Sequence, residues 1–174
     1  MNILKIYPMF GDVEIPSFST GGSACMDIKA YLKGDNRTVA AYTNTNKPIN
    51  SMVLQDNTES PLYVNLYPEE RMLIPTGIIL DIPAGYSVRV HPRSGLSFKS
   101  GITLANCEGV IDWDYTQQLF VCMINTSALP VKICHGDRIA QLEMIKSETY
   151  NIETITSPPQ QKTNRNGGLG STGV

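Results

Sequence analysis

The sequence lacks any long hydrophobic run. No apolar stretch among its 174 residues approaches the roughly 20 residues needed to cross a bilayer. The first six residues alternate polar and apolar side chains, without the apolar stretch of a signal peptide. Cysteine is also scarce, and Cys25, Cys107, Cys122 and Cys134 form no Cys-x-x-Cys pair. We therefore expect a cytoplasmic protein (host cytoplasm for a viral source) with free, buried thiols.

Net charge is low as well, with a formal value of -2 at pH 7. This balance argues against direct binding of nucleic acid and against a membrane-binding surface. A polyanionic small molecule could still be bound locally by a few arginines, backbone N–H groups and a metal ion.

No stretch keeps a helical apolar period over several turns, and short alternating segments separated by Gly, Pro and Asn dominate instead. Turn signals such as Pro75-Thr76-Gly77 recur between them. At most, Ser94–Ser100 forms a short helix. The pattern predicts an all-β sandwich or barrel of many short strands. The candidate strands are Leu62–Tyr67, Arg71–Ile74, Ile78–Ile82, Ser87–His91, Leu119–Ile124 and Arg138–Ile145.

Two segments depart from this pattern, and we assign a single β domain to residues 1–157. Within it, residues 36–59 are rich in Asn, Thr and Ser and predict a long surface loop or hairpin. Residues 158–174 begin with a proline-containing linker and end in a glycine-rich arm. The arm is either an unstructured tail or a phosphate wrap, in which backbone N–H groups bind anions and Arg165 adds charge.

Two internal segments carry candidate chemistry. In Pro92–Leu96, an arginine, a hydroxyl and a glycine either present donors to phosphates or place Ser94 as a helix N-cap. In Asn106–Tyr115, an apolar pair delivers Asp112 from a buried strand into a polar turn, where its carboxylate could deprotonate a water. The alternatives are a turn capped by aspartates and a Tyr115 packed in the core rather than against a sugar or base.

Two further segments place charged residues next to strands. Alternation puts Arg138, Ala140 and Leu142 on one face of a strand, opposite Ile139 and Gln141. We expect Arg138 to pair with a carboxylate. In Ser23–Ile28, Asp27 starts an apolar strand and needs a partner or a metal-bound water.

Taken together, these segments resemble, in order, the five motifs of the trimeric dUTPase family. The resemblance covers nearly the whole chain outside residues 36–59, and the stretch Leu73–Ile78 is also typical of the family. The motif segments are Ser23–Ile28, Pro92–Leu96, Gly109–Tyr115, Gly136–Leu142 and Gly167–Gly173.

The resemblance implies a jelly-roll-like homotrimer with shared active sites that hydrolyses dUTP to dUMP and pyrophosphate. Such an activity keeps uracil out of DNA and supplies dUMP for dTMP synthesis. Asp112 is then the general base that activates water for attack on the α-phosphorus. Tyr115 packs beneath the deoxyribose and rejects UTP. The residues expected to surround the uracil are Asn106, Gly109, Val110, Ile111 and Phe120.

The resemblance also assigns phosphate contacts. Arg93, Ser94 and Gly95 are expected to act from a neighbouring subunit, with Gln141 close by. Mg²⁺ is held mainly by the substrate phosphates, with Asp27 at most an outer-sphere contact through water. The arm residues expected to close over the nucleotide are Arg165, Leu169, Gly170, Ser171 and Thr172.

The chain departs from the family pattern at several positions. Leu169 replaces the usual aromatic residue, and Arg165 lies one residue closer to the glycine pair than is common. Cys25 and Met26 replace a Gly-aromatic pair, and Gln117 replaces a glycine.

Two other functions compete with this interpretation. A dCTP deaminase of the same superfamily typically has a glutamate in place of the Ile-Asp-x-x-Tyr segment, which is intact here. A regulatory binding module could instead use the 36–59 insertion as a protein contact, although a tolerated surface loop is the simpler interpretation.

Overall fold

A computed structural model describes residues 3–34 and 38–164. Within these ranges the chain forms twelve β-strands and one short α-helix. The elements are β1 Lys5–Pro8, β2 Met26–Lys29, β3 Thr38–Tyr42, β4 Pro48–Met52, β5 Tyr63–Leu66, β6 Arg71–Asp81, β7 Tyr86–His91, α1 Ser94–Ser100, β8 Ile102–Leu104, β9 Gly109–Ile111, β10 Gln118–Asn125, β11 Val131–Cys134 and β12 Arg138–Lys146.

The strands form antiparallel sheets. A six-stranded sheet runs β4-β3-β6-β10-β8 with β1 also paired to β6, and a four-stranded sheet runs β2-β12-β7-β9. A short ribbon joins β5 and β11. Alternate side chains of the strands fill the core, among them Leu66, Ile74 and Leu142, each fully buried. The all-β, jelly-roll-like prediction is confirmed, as is the helix at Ser94–Ser100.

Strand β6 corrects one predicted turn. The segment Pro75-Thr76-Gly77 lies inside a continuous strand, where the β6–β10 register shifts between the Ile79 and Pro75 pairs. The Thr76 hydroxyl donates to the Leu119 carbonyl at 2.6 Å and holds this irregularity against β10. Gly77 has a φ of +71°, and a Cβ there would meet Val13 Cγ2 at 2.8 Å. The Pro-Thr-Gly signal therefore marks a bulge rather than a chain reversal.

Within the described part of the inserted segment, residues 38–52 form a hairpin, which is one of the two conformations expected for it. Strands β3 and β4 pair along their length, and Asn46 with a φ of 59° lies in the connection. Ala41 pairs with Met72 of β6, which attaches the hairpin to the edge of the large sheet. Because Val39 and Ala41 are buried, the insertion extends the core rather than lying loosely on it.

Two local predictions are wrong. The N-cap of α1 is Arg93, without a side-chain cap, and Ser94 is already helical. The four cysteines are free as expected, but none is fully buried and Cys107 is exposed. Cys122 and Cys134 lie on strands, whereas Cys25 precedes β2 and Cys107 lies in the β8–β9 turn. No helix within the described ranges is long and apolar enough to cross a membrane.

Candidate active site

A cleft of about 350 Å³ opens between the β8–β9 turn and strand β10. Seven predicted substrate or catalytic residues line it, and they come from separate segments of the chain. They are Asn106, Gly109, Val110, Ile111, Asp112, Tyr115 and Phe120. Within the single chain, the structure brings together the residues expected around a base and a sugar.

The turn between β8 and β9 places Asn106 at the cleft. Cys107 adopts a left-handed conformation with a φ of 61°, which is uncommon outside glycine. Its N–H donates to the Leu104 carbonyl at 3.2 Å, and the Glu108 N–H donates to the Asn106 carbonyl at 2.6 Å. Just before the turn, the Ala105 N–H donates to the Cys122 carbonyl at 2.9 Å and fixes it against β10. Asn106 is therefore exposed on a turn whose backbone is tied down.

Gly109 is required by a close approach between strands. It pairs with Val90 of β7, and a Cβ on Gly109 would lie 3.1 Å from Val90 Cβ and 3.8 Å from Asn106 Nδ2. A side chain at this position would crowd Val90 of β7, while Asn106 Nδ2 would lie at an ordinary contact distance. The glycine therefore permits the close pairing of β9 with β7 beside the cleft.

Asp112 and Tyr115 are positioned by a turn after β9. The Tyr115 N–H donates to the Asp112 carbonyl at 3.1 Å, and the Tyr115 hydroxyl donates to the Gln118 carbonyl at 2.9 Å. The ring is partly exposed toward the cleft rather than packed in the core. Asp112 is exposed, and within the described part of the chain no ion pair engages its carboxylate.

Strand β9 differs from the expected buried strand. Val110 is 50% exposed, because its side chain lines the cleft. Gly109 is buried against β7, and Ile111 is half-buried and packs against the core. Asp112 therefore follows a strand that lines the cleft rather than a strand buried in the core.

Sequence reasoning missed part of the cleft wall. Leu73 and Cys122 line it beside Phe120, and burial raises the pKa of the Cys122 thiol, which favours its neutral form. Side chains alternate along β10, so Phe120 and Cys122 lie on the same face of the strand. Once Phe120 was assigned to the site, this alternation could have identified Cys122 as well.

The predicted phosphate residues form a separate cluster on the four-stranded sheet. Asp27 Oδ1 pairs with Arg93 Nε at 2.9 Å, and Asp27 Oδ2 pairs with Arg138 Nη1 at 3.1 Å. Arg93 Nη1 also donates to the Arg138 carbonyl at 2.8 Å. Asp27 was expected to need a partner, and Arg138 was expected to pair with a carboxylate. The structure pairs these two residues with each other. Nearby, Gln141 Nε2 donates to the Pro92 carbonyl at 3.1 Å.

The face of β12 that carries this cluster was predicted incorrectly. The register with β2 shifts between Arg138 and Ala140, and Ile139 and Ala140 are consecutive buried residues. A bulge therefore interrupts the alternation of side chains along β12. Without the bulge, Arg138 would lie on the same face as Ala140. Instead, Arg138 reaches Asp27, whose strand partner is Gln141.

Ser94 and Gly95 are exposed at the start of α1, directly after this cluster. None of the phosphate residues, Asp27 included, lines the cleft that holds Asp112. The predicted arm residues Arg165, Leu169, Gly170, Ser171 and Thr172 lie outside the described residues.

The fold and the two clusters define an all-β protein with a cleft that holds Asp112 and a separate cluster in which two arginines pair with Asp27. A scan against protein families matches the dUTPase model over residues 57–173, more than half of the chain. The chain belongs to the dUTPase family.

Curated relatives extend the match over nearly the full length. A deoxyuridine 5'-triphosphate nucleotidohydrolase of Finegoldia magna is 39% identical over 91% of this chain and 91% of its own. One from Wolbachia pipientis is 47% identical over 63% of this chain and 72% of its own.

Solved structures share the fold at lower identity. A Staphylococcus bacteriophage 80alpha dUTPase mutant with dUpNHpp aligns over 100% of both chains with a TM-score of 0.73 and 19% identity. A Streptococcus mutans dUTPase aligns over 85% of this chain and 98% of its own, with a TM-score of 0.62 and 19% identity.

Proposed function

We propose that this protein hydrolyses dUTP to dUMP and pyrophosphate, with Asp112 as the general base. The observation that carries the proposal is the single cleft that holds Asn106, Asp112 and Tyr115 together. The family membership and the names of the relatives support the reaction. The free cysteines suit a reducing compartment, and we extend the proposal to the cytoplasm.

Uracil recognition follows from the fixed turn and strand around the cleft. The Asn106 amide and the backbone of Val110 and Ile111 offer both donors and acceptors at fixed positions. Cytosine exchanges a donor for an acceptor on the edge that would be read, so it would leave groups unpaired. We also propose that the cleft excludes the thymine methyl by its width, which would reject dTTP.

Hydrolysis needs a water held at the α-phosphorus and a group that takes its proton. The Asp112 carboxylate is exposed beside the cleft and is not engaged by a described ion pair, so it is available to accept from a water. The new bond joins the water oxygen to the α-phosphorus, and the bond from that phosphorus to the oxygen bridging to the β-phosphate breaks. Asp112 takes the proton, and pyrophosphate leaves with the electron pair.

The phosphate residues would serve the cleft of a neighbouring subunit. Arg93, the N-cap of α1, and Gln141 of β12 do not line this chain's own cleft. A homotrimer with shared sites, as in the family resemblance, would bring them to the triphosphate. Arg93 then places a fixed cationic fork on the phosphates.

The donor set fits Mg²⁺ held by the substrate phosphates and water. Both oxygens of Asp27 are paired with arginines, so a contact through water is the one that fits this carboxylate. The metal would supply neutralisation of the triphosphate charge, consistent with its reluctance to lose its waters.

Replacing Tyr115 with alanine tests the sugar contact. We expect the ratio of kcat/KM for dUTP over UTP to fall by about tenfold or more, because the ring no longer excludes a 2′-hydroxyl. Tyr115→Phe is the matched control: it removes only the hydroxyl bond to Gln118 and should keep the preference. An unchanged ratio in Tyr115→Ala would show that another group selects the sugar.

A further inference from the structure

A second cluster of polar side chains crosses the outer face of the four-stranded sheet. Cys25, His91 and Glu143 each offer one ligand atom, and these atoms all lie within 4.8 Å of one another. The three residues come from different strands or strand ends, so the cluster is assembled only by the fold. None of them takes part in the hydrolysis proposed for the cleft.

The strand register explains why these side chains meet. Leu142 pairs with Met26 of β2, and Cys25 directly precedes this strand, with its Sγ within 4.8 Å of a Glu143 carboxylate oxygen. On the other side of β12, Glu143 pairs with Arg89, and His91 lies two residues further on the same face. The intervening Leu142 and Val90 are buried on the opposite face. Period-two alternation therefore holds all three ligand side chains on one surface.

His91 is held by a carboxylate on each ring nitrogen. Its Nε2 lies 3.1 Å from Glu143 Oε1, and its Nδ1 lies 3.5 Å from Glu108 Oε1. Glu108 is itself held by Arg89 Nη1 at 3.5 Å. A histidine whose second nitrogen faces a carboxylate is the usual outer-shell arrangement of a metal-binding imidazole, because that contact fixes the ring and its tautomer.

We propose that Cys25, His91 and Glu143 bind a Zn²⁺ ion, with Glu108 orienting His91 and water completing the coordination. Thiolate, imidazole and carboxylate are all common zinc ligands, at bond lengths of about 2.0–2.3 Å. Tetrahedral bonds of that length separate ligand atoms by roughly 3.3–3.8 Å. Because the ligand atoms all lie within 4.8 Å of one another, a side-chain adjustment of at most about 1.5 Å brings them to these separations.

The ligand set also separates this site from the Mg²⁺ proposed at the phosphates. Mg²⁺ prefers oxygen ligands and keeps several waters, whereas a thiolate with an imidazole favours softer transition metals. Binding at the cluster should therefore persist in millimolar Mg²⁺, and it should not need a nucleotide.

Cobalt substitution of the untagged full chain, without nucleotide and with Mg²⁺ present, tests the proposal. We expect one Co²⁺ per chain, a thiolate-to-cobalt absorption band in the near ultraviolet, and loss of that band when Zn²⁺ is added. Cys25→Ser and His91→Ala should each abolish the band. Glu108→Gln should keep it while weakening Zn²⁺ affinity by about 10–100-fold, measured against a chromophoric chelator.

The matched control is Cys134→Ser, which removes a half-buried thiol outside the cluster and should keep the band. Circular dichroism of each variant checks that it folds. Glu143→Gln changes another proposed ligand while keeping the size and shape of the side chain almost unchanged. The proposal fails if the wild type shows no band, or if folded Cys25→Ser keeps it, since the metal would then sit on another thiol.

Discussion

Asp112→Asn should lose nearly all dUTP turnover while still binding dUTP. The amide keeps the size of the carboxylate but cannot take a proton from water, and general bases contribute about 10²–10⁴-fold to rate. The carboxylate has no ion pair with another described residue, so its removal leaves no buried charge unpaired. Pyrophosphate release gives the rate, and the fluorescence of Trp113, the chain's single tryptophan and a neighbour of Asp112, reports binding.

Asp114→Asn is the matched control for this experiment. Asp114 is an exposed carboxylate two residues away that does not line the cleft, so its loss should change the rate little. Ordinary turnover in Asp112→Asn would refute the assigned base. Equal losses in both variants would point to general electrostatics at the cleft instead.

Ending the chain at Asn164 should reduce dUTP hydrolysis by about a hundredfold or more without unfolding the protein. Such a loss matches the cost of misplacing a reacting group by a small distance. The truncation keeps every strand and the helix of the described ranges, since β12 ends at Lys146 and the residues from Glu148 to Asn164 are exposed. The removed segment holds Arg165 and the Ser171–Thr172 pair proposed to contact the phosphates.

The truncated protein should keep the melting temperature and the oligomeric state of the full chain. Gel filtration and thermal melting, run beside the rate measurement, separate a catalytic arm from a structural one. Full activity would mean that the described residues alone hold the triphosphate. A drop to monomers would mean that the arm acts in assembly.

Much of the fold was predictable because alternation and local turn chemistry agree along the chain. Strand β7 was predicted to within one residue, and the helix at Ser94–Ser100 to the residue. The segment with Asp112 and Tyr115 was recognisable because an apolar pair, an acid and an aromatic follow in a fixed order. Its neighbours in the cleft needed tertiary structure, since Leu73 and Cys122 reach it from other strands.

The failures share a physical cause. Bulges at Gly77 and at Arg138–Ala140 change which face a residue occupies, and a bulge depends on the partner strand rather than on local sequence. The left-handed conformation of Cys107 also could not be predicted from local sequence. Cysteine disfavours this conformation, and the hydrogen bonds that attach the turn to β10 stabilise it. The Cys25–His91–Glu143 cluster was invisible for a related reason: its members lie far apart in sequence and meet only through strand register.

Selective hydrolysis of dUTP is tested by measuring pyrophosphate release from dUTP, UTP, dTTP and dCTP. Each nucleotide is measured with Mg²⁺ and with a chelator, and ammonia release from dCTP is followed in parallel. We expect rapid release from dUTP alone, lost on chelation. Equal release from all four nucleotides, ammonia from dCTP, or no release from folded protein would refute dUTP hydrolysis as the function of this protein.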